Sequence, residues 1–151
     1  MPVETAAISL AEASTVIDVT IQRGVEQGFA PLTAVVLDPG GHVVAAKRSD
    51  SSAIMRIDVA TAKAWGVLAM QWPAHELVDR AQRMPQFFAA LGALSGGRML
   101  PVAGGVPIHD DAGRLVGSVG VSGDTSDNDE ACAVAGIEAA GLIPWLEPHR
   151  S

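Results

Sequence analysis

Cysteine is nearly absent from the 151-residue chain. The one thiol, Cys132, rules out an intrachain disulfide framework and a zinc site built on cysteines. Tyrosine is missing altogether and aromatics make up 4%, too few for a reader of single-stranded nucleic acid that works by stacking bases on side chains. Positive charge is scarce as well. Ten Lys and Arg stand against seventeen Asp and Glu, and the net charge of −7 opposes binding to a phosphate backbone, leaving room only for a local basic pocket. Every apolar run is shorter than ten residues, whereas a membrane-spanning helix needs about 20. Met1–Thr5 has no basic stretch leading into an apolar one, so no signal peptide is expected and the chain reads as soluble and cytoplasmic.

Hydrophobic residues, by contrast, are plentiful at 48%, with 18% charged, which excludes disorder. The length suits one domain over residues 1–151 with no linker, repeat or low-complexity tract. Leu10, Ala13, Ile17, Ile21 and Val25 recur at helical spacing, so a helix is expected over about Ser9–Gln27. Ser9 and Glu12 match a capping box, and Gly28 suits the residue after the C-cap. A hairpin follows, with strands Leu32–Leu37 and His42–Lys47 joined by Asp38-Pro39-Gly40-Gly41. A second helix is expected over about Ser51–Met70, stopped by Pro73, then short helices over Ala74–Arg83 and from Pro85. Strands are read at Arg98–Val102, Val106–His109 and Arg114–Ser122. The last should place Leu115, Gly117, Val119 and Val121 on one face, with Val116, Ser118, Gly120 and Ser122 on the other. A final helix runs over about Asn128–Ala140. Helices do not alternate with strands one for one, so the expectation is an antiparallel sheet of about five strands with helices packed on it.

Candidate chemistry is thinly spread. His42, His75, His109 and His149 show no helical pairing of metal-ligand type, and a three-ligand zinc site would need distant positions to converge. His42 reads as a half-exposed strand start, His75 as a helix-start cap or solvated side chain, and His149 as a solvated tail residue. His109, at a strand end beside a glycine-rich segment, is the candidate axial ligand or proton carrier, with simple surface exposure as the alternative. Cys132 sits among Asp127, Asp129 and Glu130, whose charge opposes a thiolate, so it is read as packing. Gly117–Gly123 lacks the Lys-Ser/Thr of a phosphate loop, and Ser122 is not in a nucleophile elbow. Gly104-Gly105 permits unusual backbone ahead of a strand, as a ligand contact or as a tight entry into the sheet. Arg56, Lys63 and Arg98 form a large share of the few cations. Facing small residues they would suit a carboxylate or propionate ligand, or else serve as structural ion pairs.

Gly104-Gly105-Val106-Pro107-Ile108, Gly117-Ser118-Val119-Gly120-Val121-Ser122-Gly123, Asp129-Glu130 and Ala135-Gly136-Ile137 together resemble the GlcG/HbpS heme-binding family and the similar C-terminal domain of PduO-type proteins. Ala62-Lys63-Ala64 and the Asp38–Gly41 turn fit the same pattern, and the resemblance spans about residues 8 to 142. It implies an α/β (α+β) profilin-like fold of three layers, a central antiparallel sheet with helices on both faces. It also implies homo-oligomers and a small-molecule ligand, heme in some members, with roles in heme handling or small-molecule catabolism. On this basis Lys63, Arg98, Arg56, Gly104 and Gly105 are candidate ligand-binding residues. Lys63 and Arg98 would neutralise carboxylates, and His109 or His75 would approach a heme iron. The alternative is an enzyme (lyase, isomerase or hydrolase) on a small hydrophobic or oxygenated substrate, with Lys63 or His109 as acid or base and the Gly104-Gly105 amides on an oxyanion. Two segments depart from the family pattern, Ala64-Trp65-Gly66-Val67-Leu68 and Arg98-Met99-Leu100, and point to a pocket tuned to its own ligand.

Overall fold

In the computed structural model, which describes residues 6–147, the elements are α1 (Leu10–Glu26), β1 (Thr33–Leu37), β2 (Val43–Arg48), α2 (Arg56–Met70), α3 (Ala74–Arg83), α4 (Pro85–Leu94), β3 (Gly105–His109), β4 (Leu115–Ser122), α5 (Ser126–Ala139) and β5 (Ile143–Pro144). The strands form one antiparallel sheet in the order β2-β1-β4-β3-β5. His149 and Met1–Thr5 lie outside the described residues.

Alternation along β1 divides the core. Ala34 and Val36 join a cluster with Val16 and Ile17 of α1 and Ala133 and Ile137 of α5. Val35 and Leu37 point the other way, onto Ala60, Ala64 and Leu68 of α2. Helices therefore cover both faces of the sheet, as the family resemblance implied. A third cluster, Val67, Ala74, Leu77 and Phe88, seats α3 and α4 against α2.

Local chemistry fixes the ends of these elements. Ser9 Oγ accepts the Glu12 amide while Glu12 Oε1 accepts the Ser9 amide, completing the capping box that starts α1. The buried stripe of α1 is Ala13, Val16, Ile17, Thr20 and Gly24, so Leu10 and Val25, read as part of the apolar face, are instead exposed. Gly136 lets α5 press against α1, since a Cβ there would collide with the Val16 carbonyl. The helix read from Ser51 starts only at Arg56, because Ser51 adopts φ +67° in a turn.

Two further corrections concern the sheet. Residues 98–102 form no strand, and the fifth strand is Ile143–Pro144, paired with Ile108 and His109. Within β4 the expected division of faces fails at its start: Val116 packs into the α1/α5 core with Val119 and Val121, while Leu115 packs toward α2. The register shift between Ile108 and His109 opposite Leu115 and Gly117 is a bulge, and an extra residue in one strand reverses the facing of everything beyond it.

Candidate functional site

The α2 side of the sheet is paved with small residues. A Cβ on Gly120 would overlap the Ala60 carbonyl, and one on Gly105 would overlap that of Lys63. The helix therefore lies unusually close to β3 and β4, and Ser118 Oγ donates to the Ala64 carbonyl at 2.8 Å. Glycine in a strand normally weakens it; here it sets the depth of α2. One face of α2, with Ala60, Lys63, Ala64 and Val67, is thereby buried.

Burial determines what Lys63 does. Its Nζ donates to the Val121 carbonyl at 2.9 Å and pairs with Asp129 Oδ2 at 3.2 Å, with the two side chains 4% and 1% exposed. Asp129 Oδ1 in turn accepts the Asp124 amide. Gly104, at φ +114°, has no room for a side chain: a Cβ would come within 2.8 Å of Lys63 Nζ. Nearby, Arg56 donates to Ser122 Oγ at 3.1 Å. Lys63, Gly104 and Gly105 thus meet in the interior, where the cation is matched to an aspartate 66 residues further along the chain.

Arg98 lies elsewhere, on the outward side of α2. Its Nε donates to the Ser95 carbonyl at 2.6 Å and its guanidinium sits 4.5 Å from the centre of the Trp65 ring. Those contacts hold the side chain without neutralising it, and among the described residues no acid pairs with it. Trp65 and Arg98, with Gly41, Asp58, Thr61, Ala62 and Gly97, line a cleft of about 260 Å³. A second hollow of about 110 Å³ shares Gly41 and Trp65 and extends toward Leu68 and Ala69. Gly41, at φ +83°, lets the β1–β2 turn rest against the indole, 3.0 Å from its Nε1 to where a Cβ would stand.

The histidines are scattered. His109 is buried and stacked on Trp145, with centroids 5.0 Å apart. The exposed His75 Nε2 meets Glu130 Oε2 at 2.9 Å, tying α3 to α5. Neither lines the Trp65 cleft. His42 is 82% exposed, with Nδ1 3.4 Å from Asp38 Oδ1. No group of three His, Cys, Asp or Glu among the described residues could hold a bare metal ion. Cys132 is buried, and burial together with the Asp129 charge pushes its thiol pKa up. Sequence reasoning gave Trp65 no contact of its own, Asp129 no ion-pair partner and His42 nothing beyond a half-exposed strand start. An indole in an otherwise small-residue stretch of α2 was the available signal for the first, while the other two depend on contacts the sequence does not display.

A five-stranded antiparallel sheet with α1 and α5 on one face and α2 on the other, and an aromatic–guanidinium cleft outside α2, defines an α+β architecture of three layers. The family model described as "Haem degrading protein HbpS-like" matches residues 8–138, and the chain belongs to that family. It is 26% identical over 133 residues to an uncharacterized 15.0 kDa protein of the dhaT-dhaS intergenic region of Citrobacter freundii, covering 88% of this chain and 92% of that one. It is also 26% identical over 117 residues to the corrinoid adenosyltransferase PduO of Salmonella typhimurium, covering 78% of this chain but only 34% of that protein. The crystal structure of a PduOC:heme complex is similar, with a TM-score of 0.80 at 25% identity, covering 91% of this chain and 97% of that one.

Proposed function

We propose that this protein binds heme, or a similar planar ligand bearing carboxylates, at the Trp65–Arg98 cleft. The observation that carries the reading is a guanidinium fixed over an indole at the mouth of a cleft and matched to no acid among the described residues. An aromatic plane gives a flat ligand dispersion contact, and an orientated guanidinium recognises a propionate by paired hydrogen bonds. The fold's likeness to a protein crystallised with heme supports the choice of ligand.

Among the described residues no histidine, cysteine or methionine lines either hollow, so the reading rests on stacking against the indole and recognition of a carboxylate by the guanidinium, with no iron ligation by the chain. A porphyrin itself supplies four of its iron's ligands. The two hollows, about 260 and 110 Å³, sit at or below the lower end of ligand pockets, about 300–1,000 Å³. They accept one edge of a tetrapyrrole and leave the rest open. Self-association belongs to this reading, since Ile54, Met55, Phe87 and Leu94 are large exposed apolar side chains. So does a cytoplasmic setting; among the described residues no helix is long and apolar enough to cross a membrane. Lys63, Gly104 and Gly105 support the site from beneath, by holding α2 against the sheet.

Hemin titration followed at the Soret band tests the reading. Saturable binding near one equivalent per chain, weakened about tenfold or more in Arg98→Ala and in Trp65→Leu, is expected for loss of a charge-assisted contact worth about 1.5–3 kcal/mol. Unchanged affinity in both variants would place the ligand elsewhere.

A further inference from the structure

The two edges of the sheet are finished differently. Beyond β3 the edge is β5, two residues long and ending in Pro144, which has no amide proton to offer. At the other edge β2 runs for six residues, Val43–Arg48, and pairs only with β1 among the described residues. The Ser49 amide donates to the Leu32 carbonyl, and Lys47 and Ala45 stand opposite Ala34 and Val36. Bonded pairs alternate along an antiparallel ladder, so Lys47 and Ala45 turn their backbone groups to β1. Ala46 and Arg48 turn theirs outward, to the open edge. Ala46, Lys47 and Arg48 are exposed. No proline interrupts the strand, the register shift lies at its far end opposite Val36 and Leu37, and the Lys47 ammonium is drawn aside to Asp18 of α1 at 2.6 Å.

We infer that β2 is the docking edge for the same strand of a second copy of this chain, paired antiparallel about a two-fold axis at Ala46. This gives the self-association proposed above a definite surface. A long edge of unpaired backbone groups is a template for another strand. A second copy presents one already extended, so nothing has to be ordered on docking, as a free peptide would. The chain carries a net charge of −7, yet Val43–Arg48 contains no acid, so two copies meet where their excess charge is absent. An axis at Ala46 sets Arg48 opposite the partner's Val44 and Lys47 opposite the partner's Ala45. Moving the axis to Lys47 would bring two ammonium groups face to face, and like charges directly opposite disfavour that register. The two sheets then continue as one.

Sedimentation of the full chain without hemin tests the inference, on wild type, Ala46→Pro, Ala46→Glu and Ala46→Lys, each checked for folding by circular dichroism. Proline at 46 removes an outward amide and leaves the bonds to β1 in place, as proline on an edge strand does. Wild type should associate, and each variant should have at most half its mass. An equimolar mixture of Ala46→Glu and Ala46→Lys should regain the wild-type mass, because unlike charges then face each other across the axis. Association that survives in folded Ala46→Pro places the interface elsewhere, such as the exposed Phe87 and Leu94 of α4, and overturns the inference while the heme-binding reading stands on its own titration. A mixture that stays dissociated also overturns it, since the axis is then not at Ala46. A monomeric wild type removes both this interface and the proposed self-association. If Ala46→Pro does not fold, the two charge variants and their mixture decide.

Discussion

Replacing Lys63 with methionine isolates what the buried cation contributes. The substitution keeps the length and most of the apolar volume of the side chain, so packing against Gly104 changes little. It removes the donor to the Val121 carbonyl and the partner of Asp129 Oδ2, leaving a carboxylate 1% exposed with the Asp124 amide on its other oxygen. Water cannot screen that charge. Removing one partner of a buried pair destabilises by about 3–5 kcal/mol, mostly through the charge left behind. For a domain of this length that lowers the melting temperature by roughly 6–20 °C. Urea unfolding followed by circular dichroism measures the loss directly. Asp129→Leu alone should be comparably harmful, since it strands the ammonium. The Lys63→Met/Asp129→Leu double variant should recover a substantial part of the summed loss, because neither charge remains. A single-variant loss below about 1 kcal/mol, or strict additivity in the double variant, would refute the account of Lys63 as the pin between α2 and the start of α5.

Gly120→Ala should destabilise by at least about 2 kcal/mol by the same assay, as an overpacked site does, because its Cβ lands on the Ala60 backbone carbonyl and forces α2 off the sheet. Asp124 is held below the usual carboxylate pKa, first by the Asn128 side chain and then by the amides of Ala30 and Thr125. A depressed pKa contributes stability that is present above the unfolded value of about 4 and is lost as pH falls through the lower folded value. Asp124→Ala should therefore be less stable than wild type at pH 7, with the gap closing toward pH 2 in thermal melts. A gap that does not narrow in acid would contradict this. Cys132, buried and with its pKa raised, should resist a thiol reagent at pH 8 in the native state and react at once in denaturant; rapid native labelling would show that α5 opens.

The sequence displayed what local chemistry controls. The Ser9–Glu12 box and the Asp38–Gly41 turn each form within a few residues and appear where the pattern places them, and the final helix, read from about Asn128, starts at Ser126 behind a Thr125 cap. What it did not display depends on register or on distance in the chain. Ile143–Pro144 is too short for any alternation and becomes a strand only because β3 offers an edge. The positions of Leu115 and Val116 are exchanged by a bulge that no periodicity announces. The cations show the same limit. Lys63 was legible as a placed charge from its small-residue helix, but its partner Asp129 was not. Arg98 was legible as a candidate for a carboxylate, but its apposition to Trp65 depends on how the segment after α4 returns across α2.

In the proposed complex the ligand lies against Trp65. Gallium protoporphyrin IX, a diamagnetic analogue of hemin, can be titrated into ¹⁵N-labelled protein while the indole Nε1–H resonances of Trp65, Trp72 and Trp145 are followed by NMR. Binding at the cleft should give a saturable ring-current shift of the Trp65 indole together with the Gly41 and Gly97 amides, and little change at Trp145. Shifts centred on another surface, such as Met84–Phe87, with Trp65 unmoved at saturation, would contradict it.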